Sequence, residues 1–432
     1  MAELVVSKAQ IVRQEGTRMA EFPIERVRRM FPALNRGSGT VFFDNAAGAQ
    51  IPQPVFAAMN DHLLCRNVQR GGPYRESQEV DAVIARARQT VAALLNAADP
   101  DEISFGMNAT SFIRLVSLAL GQSLSDRREI IVSELDHEAN VATWLALTRE
   151  GAVIRWWKVR EDGSLNLSDL EQLLCSRTRL VACTAASNAL GTIVDVAGVA
   201  QRAHAVGAEV FIDCVHYPPH GSVDVQDWGC DYLVCSGYKI FGPHMGFLWG
   251  RRKALEALPT FREDFIPDVP PSKIEVGTFV YENVAGMSAA VEYLAGLGKE
   301  PGQNDRPDSL RARLVHSMEL IRAYEATLSQ ALLNGLHAIK GVKVYGVNDP
   351  SAVNQRVPTI CFNWGDVPPA TLAAKLGEKN IAVRDGHMYS PRLMKRLGIS
   401  PACGAVRASL VHYNTHEEIR LFLNALQGIA GN

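Results

Sequence analysis

An aspartate and a lysine in the middle of the chain are the residues best suited to covalent chemistry. Asp213 closes the apolar run VFID, and Lys239 follows the apolar run DYLVCSG, 26 residues later. An apolar setting disfavours the charged form of lysine, so the amine becomes a nucleophile, as a Schiff-base lysine requires. As an isolated pair, the two residues could instead form a salt bridge or two solvated strand ends. A nucleotide-binding loop is not indicated, because no strand-like run precedes GxGxxG or GxxxxGK[ST].

The elements that must position these residues follow from the hydrophobic pattern. From about residue 80, short apolar runs alternate with segments of helical periodicity, which is typical of a parallel sheet covered by helices on both faces. Ligands bind such sheets at the carboxyl ends of the strands, where Asp213 and Lys239 stand. The predicted strands are REIIVSE, AVIRWWKV, RLVACTA, AEVFIDCV, DYLVCSG and GFLWGRR, and the predicted helices are VDAVIARARQTVAALLN, EANVATWLALTREG and VAGVAQRAHAVG.

Three segments are predicted along the chain. Residues 40–297 form the large α/β domain, and residues 298–432 form a small α+β domain that begins with a long helix through SLRARLVHSMELIRAYEATLSQALLNGL. Residues 1–39, with a helix around IERVRRMFPAL, are expected to pack on the small domain. The other predicted elements of the small domain are GVKVYGV, RVPTICFNW, PATLAAKLGEKN, IAVRDG, VRASLVHY and HEEIRLFLNALQG.

Composition excludes several classes of protein. The 432 residues include 44 Lys and Arg against 46 Asp and Glu, without a basic cluster, so a nucleic-acid partner is not expected. The charged amino-terminal stretch and the lack of a long apolar run argue against a signal peptide or a membrane span, and favour the cytoplasm. The eight cysteines are scattered without a CxxC pair, so we expect mostly buried small hydrophobes and no structural metal.

Eight segments along the chain resemble one family when taken together and in order. The segments are GMNATS, SELDHEAN, TAASNALGT, FIDCVHY, SGYKIFGP, IEVGT, VRDGHMYSP and VRASLVHYNT. They are similar to the class V aminotransferase fold, specifically to the cysteine desulfurase-like enzymes that use pyridoxal 5'-phosphate (PLP), to which isopenicillin N epimerase is related. The resemblance runs from VFFDNAAGAQIP to VRASLVHYNTHEE and covers nearly the whole chain. It implies a PLP-dependent transferase of fold type I, with a large, mixed, mostly parallel seven-stranded sheet and a small α+β C-terminal domain.

The resemblance assigns three residues to catalysis. Lys239 would hold PLP as a Schiff base and then move protons at the substrate as general base and acid. Asp213 would keep the pyridine nitrogen protonated, which makes the ring an electron sink. His137 would stack on the ring.

The resemblance also assigns the residues around the cofactor phosphate. The backbone N–H groups of Ala109 and Thr110 would bind it at the start of the helix SFIRLVSLAL. Ser236 would add a hydroxyl group, and Thr278 would add another from the neighbouring chain, so that the active site is shared across a homodimer. Tyr238, where many relatives have histidine, can still bind the phosphate but cannot bring a positive charge to it.

Five more residues are expected around the ring and the substrate. Asn188 and His216 would lie near the phenolic oxygen of the cofactor, although many relatives have glutamine in place of His216. Arg407 would bind the substrate carboxylate through its bidentate fork, with Arg384 as a second positive contact. Asn45 is also expected to contact the substrate.

One departure from the family concerns sulfur chemistry. Many cysteine desulfurases carry a catalytic cysteine in a mobile loop, and Tyr389 stands at that position in this chain. Cys403 and Cys214 are the cysteines nearest the expected site, and we expect both to be packing residues. The resemblance therefore favours a PLP-dependent lyase that cleaves a C–S bond at the β carbon of a small L-amino acid. An epimerase, an aminotransferase or an enzyme that forms or breaks a carbon–carbon bond is the alternative, and a PLP-binding protein without catalysis is a third.

Overall fold

A computed structural model describes residues 22–37, 39–298 and 309–430. The predicted N-terminal segment therefore lies partly outside the described residues. The strands in the described ranges are β1 (Val41–Phe42), β2 (Ile103–Gly106), β3 (Glu129–Ser133), β4 (Val153–Trp157), β5 (Thr178–Thr184), β6 (Glu209–Asp213), β7 (Tyr232–Ser236), β8 (Gly246–Gly250), β9 (Val342–Tyr345), β10 (Thr359–Trp364), β11 (Ile381–Ala382), β12 (Arg384–Gly386) and β13 (Ala405–Ser409).

Helices cover the sheets and link the strands. None of the helices within the described ranges is long and apolar enough to cross a membrane. The α-helices there are α1 (Ile24–Arg29), α2 (Gln53–Cys65), α3 (Arg75–Leu95), α4 (Ala109–Gly121), α5 (Ala139–Ala146), α6 (Leu167–Glu171), α7 (Val196–Ala205), α8 (Val225–Trp228), α9 (Arg252–Ala257), α10 (Tyr281–Ala295), α11 (Leu310–His337), α12 (Pro369–Gly377), α13 (Pro391–Arg396) and α14 (His416–Ala430).

The large sheet has seven strands in the order β2-β8-β7-β6-β5-β3-β4. The pairs from β7 to β4 are parallel, whereas β8 runs antiparallel to both of its neighbours. The prediction of a mixed, mostly parallel sheet is therefore confirmed. The carboxyl ends of β5, β6 and β7 lie side by side at one edge of this sheet.

Both faces of the large sheet are buried, because alternate side chains of a central strand enter different cores. In β5, Leu180 and Ala182 pack into the core covered by α4, α5 and α9. Val181 and Cys183 point the other way, into the core that contains residues of α3, α7 and α10. This two-sided burial explains the continuous apolar run in the sequence.

The small domain contains a four-stranded antiparallel sheet in the order β12-β13-β10-β9. Its core includes residues of α11, α12 and α14. Helix α1 contacts this region through Arg28, which donates to the carbonyl of Tyr413 at 2.7 Å, while Arg26 of the same helix donates to the carbonyl of Leu297 at 2.6 Å. The predicted domain limits, at residues 40 and 298, stay a prediction.

Some elements differ from the prediction. The edge strand β2 and the helices α2 and α10 were not predicted. The four residues of β2 are too few to show a period. Helix α10 has buried residues on several sides, so its apolar residues do not form one stripe with helical spacing. The single strand predicted at IAVRDG is divided into β11 and β12, which belong to different sheets, because β11 pairs with β1 and β12 pairs with β13.

Candidate active site

Lys239 is the candidate nucleophile of the site. It ends a single 3-10 turn, Gly237–Lys239, that directly follows β7. Its Nζ donates a hydrogen bond to the carbonyl of Ala46 at 2.6 Å. Burial, and then the nearby Arg407 cation, lower the pKa of Lys239 from 10.5 to about 8, against the opposing effect of Asp213. A sizeable fraction of the amine is therefore neutral near pH 8 and able to attack a carbonyl.

Asp213 is the last residue of β6 and is 7% exposed. The backbone N–H of Val215 donates to its Oδ1 at 3.0 Å, and burial raises the pKa of its carboxyl group. A second buried carboxyl group, that of Asp136, lies nearby. Burial, with a smaller contribution from the charge of Asp213, raises the pKa of Asp136 to about 8. A cationic ring nitrogen placed against Asp213 would offset the cost of burying its charge.

His137 lies beyond the carboxyl end of β3, two residues before the start of α5. Its Nδ1 accepts a hydrogen bond from the backbone N–H of Ala139 at 3.1 Å. Burial, followed by the positive charges of Lys239 and Arg407, lowers the pKa of His137 to about 4. The imidazole is therefore neutral at physiological pH, which suits a ring that stacks on another ring.

Two further side chains close the inner wall of the site. The Nε2 of His216 lies 2.8 Å from the hydroxyl of Thr359 at the start of β10, and burial lowers the pKa of His216 well below its usual value. The Nδ2 of Asn188 donates to the carbonyl of Met388 at 2.7 Å, and its Oδ1 accepts from Ser390 at 3.2 Å. Asn188 thus holds the loop that carries Tyr389 against the site.

The amino terminus of α4 forms the opposite end of the site. Asn108 caps this helix by accepting from the backbone N–H of Ser111 at 2.9 Å. The N–H of Ala109 points to the hydroxyl of Ser236, at 3.3 Å. Gly246 allows this close approach, because a Cβ there would lie 2.4 Å from the carbonyl carbon of Asn108. A helix N-terminus with a hydroxyl beside it is suited to bind a phosphate.

A single cavity contains nine of the ten residues predicted to bind the cofactor. Thr278 is outside it, where its hydroxyl accepts from Nε2 of Gln69 at 2.7 Å. Its predicted place in a partner's site stays a prediction. An amine with a lowered pKa, a buried carboxylate, a neutral imidazole and a helix N-terminus around one cavity fit the aldehyde, ring nitrogen, ring face and phosphate of PLP. The nine residues are Ala109, Thr110, His137, Asn188, Asp213, His216, Ser236, Tyr238 and Lys239.

The two predicted substrate arginines lie side by side and share one carboxylate. Arg407 donates from Nη2 to Oδ1 of Asp44 at 3.0 Å and from Nη1 to the carbonyl of Asn188 at 2.9 Å. Arg384 donates to Oδ2 of Asp44 from Nε at 3.0 Å and from Nη2 at 2.5 Å. The pattern-based prediction named both arginines but missed Asp44, although it stands in the matched segment VFFDNAAGAQIP.

The structure does not bring Asn45 to the substrate region in the way that was expected. Its Nδ2 donates to the carbonyls of Phe42 and Ser409, both at 2.8 Å, and its Oδ1 accepts from the hydroxyl of Tyr413. These contacts use the hydrogen-bonding capacity of the amide within the protein. Asn45 therefore holds the turn that carries Asp44, with its amide hydrogens used within the protein, and its contact with the substrate stays a prediction.

Thiols are absent from the lining of the cavity in the described part of the chain. Tyr389, at the position of the family's loop cysteine, is 63% exposed, and its ring centroid lies 5.5 Å from that of His137. Cys214 is buried, as expected, and burial raises the pKa of its thiol well above 9. Cys403 is exposed, so the expectation that it packs in the interior is wrong.

Comparisons with known proteins identify the family of the chain. The family described as aminotransferase class-V matches residues 41–422. A probable cysteine desulfurase of Synechocystis sp. is 34% identical over 93% of this chain and 94% of its own length, and an aminotransferase-like protein of Gibberella zeae is 34% identical over 94% and 98%. The apo structure of a cysteine desulfurase from Thermococcus onnurineus superposes with a TM-score of 0.83 at 28% identity, over 95% of this chain and 98% of that one. The chain therefore belongs to the class V aminotransferase family and is a PLP-dependent enzyme of fold type I.

Proposed function

We propose that the protein is a lyase that acts on a small L-amino acid and cleaves the C–S bond at its β carbon, with L-cysteine or a cysteine S-conjugate as substrate. The observation that carries the proposal is the amine of Lys239, whose pKa burial lowers to about 8, in one cavity with the buried Asp213. The names of the relatives, several of them cysteine desulfurases, support the substrate class.

Four residues at and beside the cavity have distinct roles in this proposal. PLP supplies the electron sink that stabilises negative charge at Cα. Lys239 would hold the cofactor and then take the proton from Cα, while Asp213 would keep a proton on the pyridine nitrogen. His137 covers one face of the ring, and Arg407 orients the substrate through its carboxylate.

The fate of the sulfur follows from the lack of a thiol in the cavity lining. A desulfurase that forms a persulfide needs a cysteine nucleophile, and a phenol such as Tyr389 cannot take its place. Elimination needs only water as co-reactant: cysteine and water give pyruvate, ammonia and sulfide. The Cα–H and Cβ–S bonds break, the sulfur leaves with the electron pair of the C–S bond, and hydrolysis yields the keto acid.

Product analysis of the PLP-loaded protein tests this proposal. We would add L-cysteine, cysteine S-conjugates and a panel of other amino acids without added thiol, and measure sulfide or thiol, keto acid, ammonia and product chirality. Lys239→Ala, assayed beside the wild type, corrects for free PLP. Sulfide or thiol with an equal amount of keto acid supports the lyase, whereas alanine as the main product would contradict it.

A second candidate is an epimerase, an aminotransferase or an enzyme acting on a carbon–carbon bond. The observation that favours it is the loop around Tyr389, because the backbone N–H of Glu138 donates to the carbonyl of Tyr389 at 2.7 Å and brings its phenol beside His137. A phenol there could exchange a proton with the substrate from a second side. Racemised, transaminated or decarboxylated products without sulfide would support this candidate.

We also propose that the protein is a homodimer whose sites are shared. Thr278 lies outside the cavity of its own chain and bonds to Gln69, in the loop that follows α2. Leu64, at the end of α2, is 76% exposed, and Val276, two residues before Thr278, is 72% exposed. Apolar exposure on both sides of the Gln69–Thr278 contact supports an interface at this edge.

A further inference from the structure

Two guanidinium groups stand directly opposite each other on adjacent strands. Arg384 of β12 pairs with Arg407 of β13 in the antiparallel ladder. Directly opposed side chains lie on one face of a sheet, so like charges there repel. Another group must therefore keep the two cations together.

Asp44 is that group. Its Oδ1 accepts from Arg407 and its Oδ2 accepts twice from Arg384, at distances of 2.5 to 3.0 Å. The backbone of Asp44 is fixed as well, by a bridge to Ser409 at the end of β13. The backbone bridge to Ser409 thus keeps the carboxylate of Asp44 between the two arginines.

The two arginines differ in which of their N–H groups remain without a hydrogen-bond partner and in how exposed they are. The side chain of Arg407 is 4% exposed, and its Nε is buried without a hydrogen-bond partner among the described residues. The side chain of Arg384 is 47% exposed, and Asp44 takes the edge formed by its Nε and Nη2. The unpartnered buried donor therefore belongs to Arg407.

The charges of the cluster add up to one positive unit, since two guanidinium groups share one carboxylate. Asp385, next to Arg384 on β12, is exposed and acts only as a screened charge. Lys239 lies close enough for Arg407 to lower its pKa, on the cofactor side of the cluster. The cluster can therefore compensate one carboxylate, at the buried arginine.

We propose that Asp44 sets the charge selectivity of the substrate site, so that the enzyme takes amino acids with a single carboxylate and rejects dicarboxylic ones. The inference rests on the proposed function, in which Arg407 binds the substrate carboxylate. A second carboxylate on the side chain of a substrate would find the Nε–Nη2 edge of Arg384 bound to Asp44, and would have to displace Asp44 or bind Arg384 beside its charge. Dicarboxylic substrates would thus be rejected because the carboxylate of Asp44 competes with them for the N–H groups of Arg384.

Binding of simple acids to the PLP-loaded protein tests the inference. Propionate has one carboxylate and succinate has two, and neither has an amino group or sulfur, so the measurement by calorimetry does not depend on turnover. Asp44→Asn keeps the shape of the side chain and removes its charge. We expect the affinity for succinate relative to propionate to rise at least about tenfold in this variant, because Arg384 becomes available.

Two other variants make the test specific. In Asp44→Asn combined with Arg384→Gln, the gain for succinate should disappear, whereas Asp385→Asn, a neighbouring exposed carboxylate, should leave both affinities unchanged. An equal change for the two acids in Asp44→Asn, or a gain that survives the loss of Arg384, would overturn the inference.

A third variant covers the case in which Asp44→Asn does not fold. Arg384 is exposed, so Arg384→Gln should fold, and Asp44 would then neutralise Arg407 alone. We expect propionate to bind at least about fivefold more weakly, and an unchanged affinity would overturn the inference. If Arg407→Gln binds propionate as well as the wild type does, Arg407 does not bind the substrate carboxylate. That result would contradict the proposed function rather than the role of Asp44.

Discussion

Single residues set the pH at which the protein can take up its cofactor. Because the pKa of Lys239 is lowered to about 8, its amine loses its proton more than two pH units earlier than a free lysine would. The rate at which the apo protein binds PLP should therefore rise as the pH increases to about 8 and level off above it. The change in cofactor absorbance after mixing measures this rate.

The nearby cation provides a control for that pH profile. Arg407 lowers the pKa of Lys239, so Arg407→Gln should move the midpoint to higher pH. Arg420→Gln, at an exposed arginine on α14, should not move it. A wild-type rate that keeps rising up to about pH 10 would contradict the assignment.

Single residues also decide whether the chain provides its own sulfur acceptor. Cys403 is exposed and does not line the cavity, so Cys403→Ser should retain sulfide release from L-cysteine within about twofold of the wild type. The methylene blue assay for sulfide, with and without added thiol, measures this. A loss of more than about tenfold would show that Cys403 takes part in the reaction.

At the level of elements, a buried ion pair fixes the loop that carries Thr278. Arg88 of α3 donates to Oε2 of Glu275 at 2.7 Å, and the backbone N–H of Phe105 in β2 donates to Oε1 at 2.8 Å. Both charged side chains are at most 8% exposed. Glu275→Ala would leave Arg88 buried without its partner, so we expect a loss of about 3–5 kcal/mol in the free energy of unfolding, measured by urea titration of the apo protein.

Two variants control for this stability prediction. Glu263→Ala, at an exposed glutamate, should change stability by less than about 0.5 kcal/mol. Glu275→Gln should lose less than Glu275→Ala, because the amide oxygen can still accept from Phe105. Equal losses in Glu263→Ala and Glu275→Ala would show that the ion pair has no special role.

Elements also show what the sequence could predict. The strand ends at Asp213 and Ser236 were predictable, because each follows a continuous apolar run and parallel strands collect such ends at one edge. The role of Asp44 was not, because its partner Arg407 lies 363 residues away, and periodicity says nothing about such a pair. The contacts of Asn45 were hidden for the same reason, since its amide bonds to Ser409 and Tyr413 in a distant segment.

At the level of the whole molecule, the proposed dimer makes the end of α2 an interface. Leu64→Asp would place a charge in a buried apolar contact and should weaken the dimer at least about tenfold. Leu118→Asp, on α4, serves as the matched control, because Leu118 is 66% exposed and Leu64 is 76% exposed. Sedimentation equilibrium measures both, and equal dissociation of the two variants, or a monomeric wild type, would contradict the shared site.

Several contacts that hold the site together end on main-chain carbonyl groups. Lys239 donates to the carbonyl of Ala46, Arg407 to that of Asn188, and Asn188 to that of Met388. Any amino acid at these three acceptor positions offers the same oxygen, so mutation there cannot delete the acceptor itself. Substitutions at Ala46 or Met388 therefore leave the acceptor oxygen in place, so the bonds that position the amine of Lys239 and the amide of Asn188 do not depend on the side chains at those two positions.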